Sequence, residues 1–94
     1  MKVYISGPIK GQNNYVERFA AAEELLRSGG YDVINIAEDA HLMPNLSEYL
    51  ERVYKLIKDC EGIYMLEGWE DSDYCRTEFE FAKLHKLTIC FEKR

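Results

Sequence analysis

The apolar pattern of this chain changes period repeatedly, and that alternation constrains the fold more than any other feature. Val3-Tyr4-Ile5 reads as a short buried strand. Gly7 and Gly11 bracket a loop, after which Asn14-x-x-Glu17 has the spacing of a capping box. Behind it Tyr15, Phe19, Ala22 and Leu26 recur at helical spacing, until Gly29-Gly30 ends the helix. Tyr31 to Ile36 reads as a second strand centred on Val33 and Ile34. Asn45-x-x-Glu48 starts a second helix, whose apolar stripe is Leu46, Leu50, Val53, Ile57 and Cys60. Gly62 to Leu66 reads as a third strand, about Tyr74 to His85 as a third helix, and Leu87 to Phe91 as a fourth strand.

The resulting order, βαβαβαβ, implies parallel strand pairing through right-handed crossovers. The expected fold class is α/β: a small three-layer α/β/α Rossmann-like (flavodoxin-like) fold on a four-stranded parallel sheet. Ligands of such sheets bind at the carboxyl ends of the strands, where the strand order reverses. Three loops meet there: Gly7–Asn14, Ile36–Asn45 and Glu67–Asp73.

Composition narrows the function. With 94 residues the chain is expected to form one domain, 1–94. At 47% hydrophobic and 13% aromatic it has enough apolar residues for a core, which argues against disorder. A net charge of −5 argues against binding a nucleic-acid polymer, which needs a basic face. A single nucleotide is compatible with that charge, because a local nest of backbone N–H groups can hold a phosphate on an acidic protein. No apolar run approaches the ~20 residues of a membrane span. The N-terminal segment reads as a strand and lacks the apolar region of a signal peptide. Cys60, Cys75 and Cys90 are odd in number and contain no CxxC pair, so reduced thiols and a cytoplasmic location are expected.

The first loop, Ser6-Gly7-Pro8-Ile9-Lys10-Gly11, leaves two readings open: a plain strand-to-helix turn, or backbone N–H groups that approach an anion at a helix N-terminus. On the third helix, Arg76, Glu80 and Lys83 have the spacing of one solvated charged stripe. Glu78 lies on another face, with Phe81, Ala82 and His85, the side expected to meet the sheet. A carboxylate there is costly unless it is paired or opens into a pocket. Burial would raise its pKa and a nearby cation would lower it. In the loop before this helix Ser72 or Asp73 is a natural N-cap. Ser72 could also touch a phosphate, and Trp69 could stack on a planar ligand or cover the core. The four acids Glu67, Glu70, Asp71 and Asp73 have the chemistry of a divalent-cation site, but acidic loops are usually solvated and no metal is expected. His41 and His85 are isolated and read as structural or solvated.

Taken together, the Gly7-Pro8-Ile9-Lys10-Gly11 loop, the Gly30-to-Asn35 strand, Gly68-Trp69-Glu70-x-Ser72 and Glu78-x-x-x-Ala82 resemble the nucleoside 2-deoxyribosyltransferase-like superfamily, especially its small members. They are also similar to the 2'-deoxynucleoside 5'-phosphate N-hydrolases. The similarity covers nearly the whole chain. It implies cleavage, by hydrolysis or transfer, of the N-glycosidic bond of deoxynucleosides or their 5'-monophosphates. The nucleophilic glutamate of the family falls on Glu78. Ser72 stands where the phosphate-dependent hydrolases carry a phosphate-binding serine, and Tyr4 matches a tyrosine near the sugar. Ser6 to Gly11, Gly68, Trp69 and Tyr74 would border the substrate. The resemblance implies no cofactor, a nucleotide or nucleoside as the small-molecule partner, and a homodimer or higher homo-oligomer. Two positions depart from the family pattern. Tyr74 replaces a small residue, and the orienting acid of the hydrolases falls on or next to Val53, where no acid stands. Those departures keep a second expectation open, a nucleotide-binding module of the same fold without catalysis. A third is an interaction domain that presents Trp69 and the acidic loop.

Overall fold

The structure, a computed structural model, describes residues 1–37 and 45–92. Its elements are β1 (Lys2–Ser6), α1 (Tyr15–Ser28), β2 (Asp32–Ile34), α2 (Leu46–Lys58), β3 (Gly62–Met65), α3 (Asp73–Leu84) and β4 (Thr88–Phe91). The strands form one sheet in the order β2-β1-β3-β4, and every neighbouring pair is parallel. The fold is thus the α/β class expected from the alternation of periods.

Successive side chains of a strand point to opposite faces, and this sorts the core into two layers. Val3, Ile5, Tyr64 and Leu66 pack with Phe19 and Ala22 of α1 on one side. Tyr4, Ile63 and Met65 pack with Val53 and Ile57 of α2 and Ala82 of α3 on the other. Each fully buried apolar side chain contributes roughly 1.5–3 kcal/mol through removal from water. Among the described residues no helix is long and apolar enough to cross a membrane.

Strand order reverses between β1 and β3, so their carboxyl ends, Ser6 and Met65, flank the crevice. The chains leave these ends very close together. A Cβ on Gly7 would stand 2.6 Å from Leu66 Cδ1, so only glycine fits without a shift. Gly68, with φ of +90°, then turns the chain into a 3-10 turn over Trp69–Asp71.

Several local expectations are corrected. The second strand is Asp32–Ile34 rather than Tyr31 to Ile36. The Asn35 side chain ends the ladder by accepting from the Ala37 N–H at 2.9 Å and donating to Glu23 at 2.9 Å. Asn14 occupies the N-cap position of α1, but its side chain makes no capping bond. Asn45 does cap α2, accepting from the Glu48 N–H at 2.9 Å. Ser72 caps α3, accepting from the Cys75 N–H at 3.3 Å. His41 and most of the loop Ile36–Asn45 lie outside the described residues.

Candidate functional site

Glu78 sits in the second turn of α3 and is only 2% exposed. Burying a carboxylate is costly unless its oxygens find donors, and three hydroxyls supply them. Ser6 Oγ donates to Oε1 at 2.6 Å. The Tyr49 phenol donates to Oε2 at 2.8 Å, and the Tyr4 phenol donates to the same oxygen at 3.2 Å. These donors come from β1 and α2, so the carboxylate is held by two elements other than its own. Tyr4 and Ser6 are two residues apart on one strand and therefore share a face. Among the described residues no buried polar side-chain atom lacks a partner.

Burial is the largest influence on Glu78 and pushes its pKa up to about 7; the bonds from Ser6, Tyr49 and Tyr4 pull it down and only partly offset burial. Burial and the neighbouring Glu78 hold the Tyr4 and Tyr49 phenols well above the usual tyrosine value, so both remain donors. The same two causes raise the Cys75 thiol, which is buried behind Ser72 and Ser6. A thiol in that state is a poor nucleophile.

Beside this cluster, a cleft of about 870 Å³ opens at the carboxyl ends of β1 and β3. Pro8 and Lys10 of the first loop form one wall, and Gly68, Ser72 and Tyr74 form another. Gln12, Asn14 and Arg18 reach it from the start of α1. Glu67, Asp71, Asp73 and Glu92 make the rim acidic. Arg18 is partly committed there, donating to the Glu67 carbonyl at 2.9 Å and to Glu92 at 3.2 Å.

Glu78 lines a second cavity, an apolar groove of about 340 Å³ between α2 and α3 that also includes Val53 and Phe81. Leu50 and Thr77 border both cavities, so the cleft and the groove adjoin. The Tyr74 ring on the cleft wall lies 4.8 Å from the Tyr49 ring, whose hydroxyl is on Glu78.

The remaining expected site residues are distributed unevenly. Gly7 is buried beneath Leu66, Ile9 packs against both core layers, and Gly11 is exposed with φ of +80°. Trp69 packs on Phe79 and Phe91, with centroids 4.6 and 6.0 Å away, and thereby covers the core beside β4. Arg76 does not join the expected stripe with Glu80. It binds Asp73 and donates to the Glu70 carbonyl at 2.6 Å, because the turn before α3 offers two acceptors at once. Glu80 pairs with Lys83 at 3.7 Å, as the spacing implies. Val53 is a core residue at 2% exposure. Glu51 points to solvent and pairs with Lys55. His85 is exposed at the C-cap of α3, against Phe81. Among the described residues no group of His, Cys, Asp and Glu is arranged to hold a metal ion.

Tyr49 is the member of this cluster that the sequence reading misses. The signal was the i, i+4 relation to Val53, which puts Tyr49 on the buried side of α2.

The fold and this cluster define a small parallel α/β protein with a hydroxyl-caged carboxylate at its topological switch point. Residues 1–91 match the model of a family described as a domain of unknown function, DUF4406, and the chain belongs to that family. No curated protein matches the chain.

Proposed function

We propose that the protein cleaves the N-glycosidic bond of 2'-deoxynucleoside 5'-monophosphates, or of the corresponding deoxynucleosides, by hydrolysis or transfer. The observation that carries this proposal is Glu78. It is a buried carboxylate with a pKa near 7, steadied by Ser6, Tyr49 and Tyr4 beside a polar cleft. Perturbed carboxylates at the switch point of a parallel sheet are candidates for chemistry. Near neutral pH a large share of Glu78 is ionised. An oxygen of that carboxylate attacks C1' through an oxocarbenium-like transition state. The C1'–O bond forms as the C1'–N bond breaks, and the departing base takes up a proton from solvent. The oxygen of a water then bonds to C1' as the ester C1'–O bond breaks and the water gives its proton back to solvent, which restores the carboxylate and releases deoxyribose 5-phosphate, or deoxyribose from a deoxynucleoside. A second base in place of water gives transfer.

Two helix starts support a phosphate in the cleft. The uncapped first turn of α1 leaves N–H groups free of the Asn14 side chain, and Ser72 and Tyr74 stand at the start of α3. Lys10 and Arg18 add positive charge against the acidic rim. The residues require no cofactor for this chemistry. A homodimer or higher oligomer and a cytoplasmic location accompany the proposal, in keeping with the resemblance and the free thiols.

One observation favours a second reading, nucleotide binding without turnover. Both oxygens of Glu78 are engaged by hydroxyls, and Glu78 lines the adjoining groove rather than the cleft. Incubation with each deoxynucleotide and deoxynucleoside, followed by chromatography for free base, separates the two. Base release by the wild type and not by Glu78→Gln supports the enzyme. A calorimetric binding signal without release supports the binding module. Neither signal would sink both.

A further inference from the structure

The acids of α2 nearest this site, Glu48 and Glu51, are exposed. What α2 brings to Glu78 is the buried Tyr49. The position is fixed from both ends. Asn45 caps the helix, and its carbonyl accepts from the Tyr49 N–H at 3.0 Å, so Tyr49 belongs to the first full turn. Val53 and Ile57 bury the same side of α2 against the sheet and set its rotation. The Tyr49 ring is clamped beside Tyr74, and its hydroxyl reaches Oε2 of Glu78 at 2.8 Å. Tyr4 meets the same oxygen at the longer distance of 3.2 Å, and Ser6 meets the other.

We infer that Tyr49 is a positioning residue of this site: from α2 it holds Oε2 of Glu78 with a phenolic donor. The inference rests on Glu78 being the reactive carboxylate. A second carboxylate at this place would repel Glu78 and disfavour its ionised form. A phenol does the opposite, because its O–H donates to the charged form and is itself held protonated. The titratable groups that face Glu78 are Tyr4 from β1, Tyr49 from α2 and Cys75 from α3 itself. Tyr4 and Tyr49 both donate to it, and burial keeps all three in their neutral forms. Tyr49 also links the carboxylate to the cleft wall, through its contact with Tyr74.

The test is a carbon-13 NMR titration of the Glu78 carboxyl in the wild type and in Tyr49→Phe, which retains the ring and removes only the hydroxyl. Loss of one hydrogen bond to a carboxylate is expected to move the midpoint upward by about one pH unit or more. In base release the acid limb of the pH profile should move upward with it. A packing role alone would lower thermal stability and leave the midpoint where it was. Superimposable titrations of the two proteins therefore overturn the inference. Titration does not depend on turnover, so an inactive wild type would refute the proposed enzyme without touching this result. The wild type supplies a second check that survives a poorly folding variant. The Tyr49 hydroxyl proton should exchange slowly with water and show a contact to the Glu78 side chain, and a rapidly exchanging proton would refute the bond.

Discussion

Replacing Glu78 with Gln should change how the stability of the protein depends on pH. A free glutamate titrates near 4.5, and Glu78 in the folded protein titrates near 7. The folded state therefore holds this proton more tightly than the unfolded chain does. Stability depends on the difference in protons bound by the two states. With a raised carboxyl pKa, the contribution is complete below about pH 4.5 and is lost as pH rises through about 7. The gap between those two values, at about 1.4 kcal/mol per pH unit, amounts to roughly 3 kcal/mol. For a domain this small that is a large fraction of a total near ~5–15 kcal/mol.

Gln has the same shape and fits the cage, because a hydroxyl accepts as readily as it donates. Its amide can take up bonds from two hydroxyls and return one to the third. The assay is urea unfolding of both proteins at intervals from about pH 4.5 to about 8. The stability of the wild type relative to Glu78→Gln should fall by roughly 3 kcal/mol across that range. Glu23 works in the opposite direction. Its bonds from Arg27 and Asn35 lower its pKa, so its stabilisation is present above about 4.5 and is lost as pH falls. Glu23 is common to both proteins and cancels in the difference. Parallel curves for the two proteins would refute the reasoning, since they would mean that Glu78 is no harder to ionise in the folded state than in the unfolded one.

Four further substitutions separate stability from binding. Ser72→Ala removes the cap of α3 and should cost about 1 kcal/mol by thermal or urea unfolding. Ser72→Asp keeps a capping acceptor but places a negative charge against the phosphate of the proposed substrate; under the proposed function calorimetry should show at least a roughly tenfold loss of nucleoside monophosphate affinity with unfolding little changed. Gly7→Ala drives a methyl group into Leu66 and should destabilise by about 1–3 kcal/mol, read from the urea midpoint. Trp69→Ala should cost about 2 kcal/mol through its lost contacts with Phe79 and Phe91, while the affinity for nucleotide measured by calorimetry stays the same.

The parts of the fold that were legible depend on local pattern. Period-two alternation in Val3-Tyr4-Ile5 separates the two core layers, and the helical spacing of Phe19 and Ala22 marks the face of α1 that they bury. The face assigned to Glu78 was legible for the same reason. Ala82, one turn on, is fully buried, although His85 at the end of that line is exposed, because the helix stops at Leu84. What local spacing does not carry is competition between partners. Arg76 has Glu80 four residues on, but Asp73 and the Glu70 carbonyl together offer a better set of acceptors. Asn14 and Asn45 stand in the same motif, yet only Asn45 uses its side chain as a cap.

Tyr49 shows why the carboxylate could be found in the sequence and its cage could not. A tyrosine in an apolar stripe is indistinguishable by pattern from any other core residue, since most of its surface is apolar and only the hydroxyl at its tip is polar. Whether that tip meets a carboxylate depends on where along α2 the helix touches α3. That displacement is set by Val53 and Ile57 packing against β3, across residues far apart in sequence. Tyr4 and Ser6 are more tractable. Strand parity alone puts them on one face, and the order of the elements puts the end of that strand at the switch point. A polar residue two positions from a tyrosine, at the carboxyl end of a central parallel strand, is thus a usable sign of a polar cluster. The third donor requires the tertiary contact between two helices, and a one-turn slip of α2 would exchange Tyr49 for Val53 and leave Oε2 with Tyr4 alone.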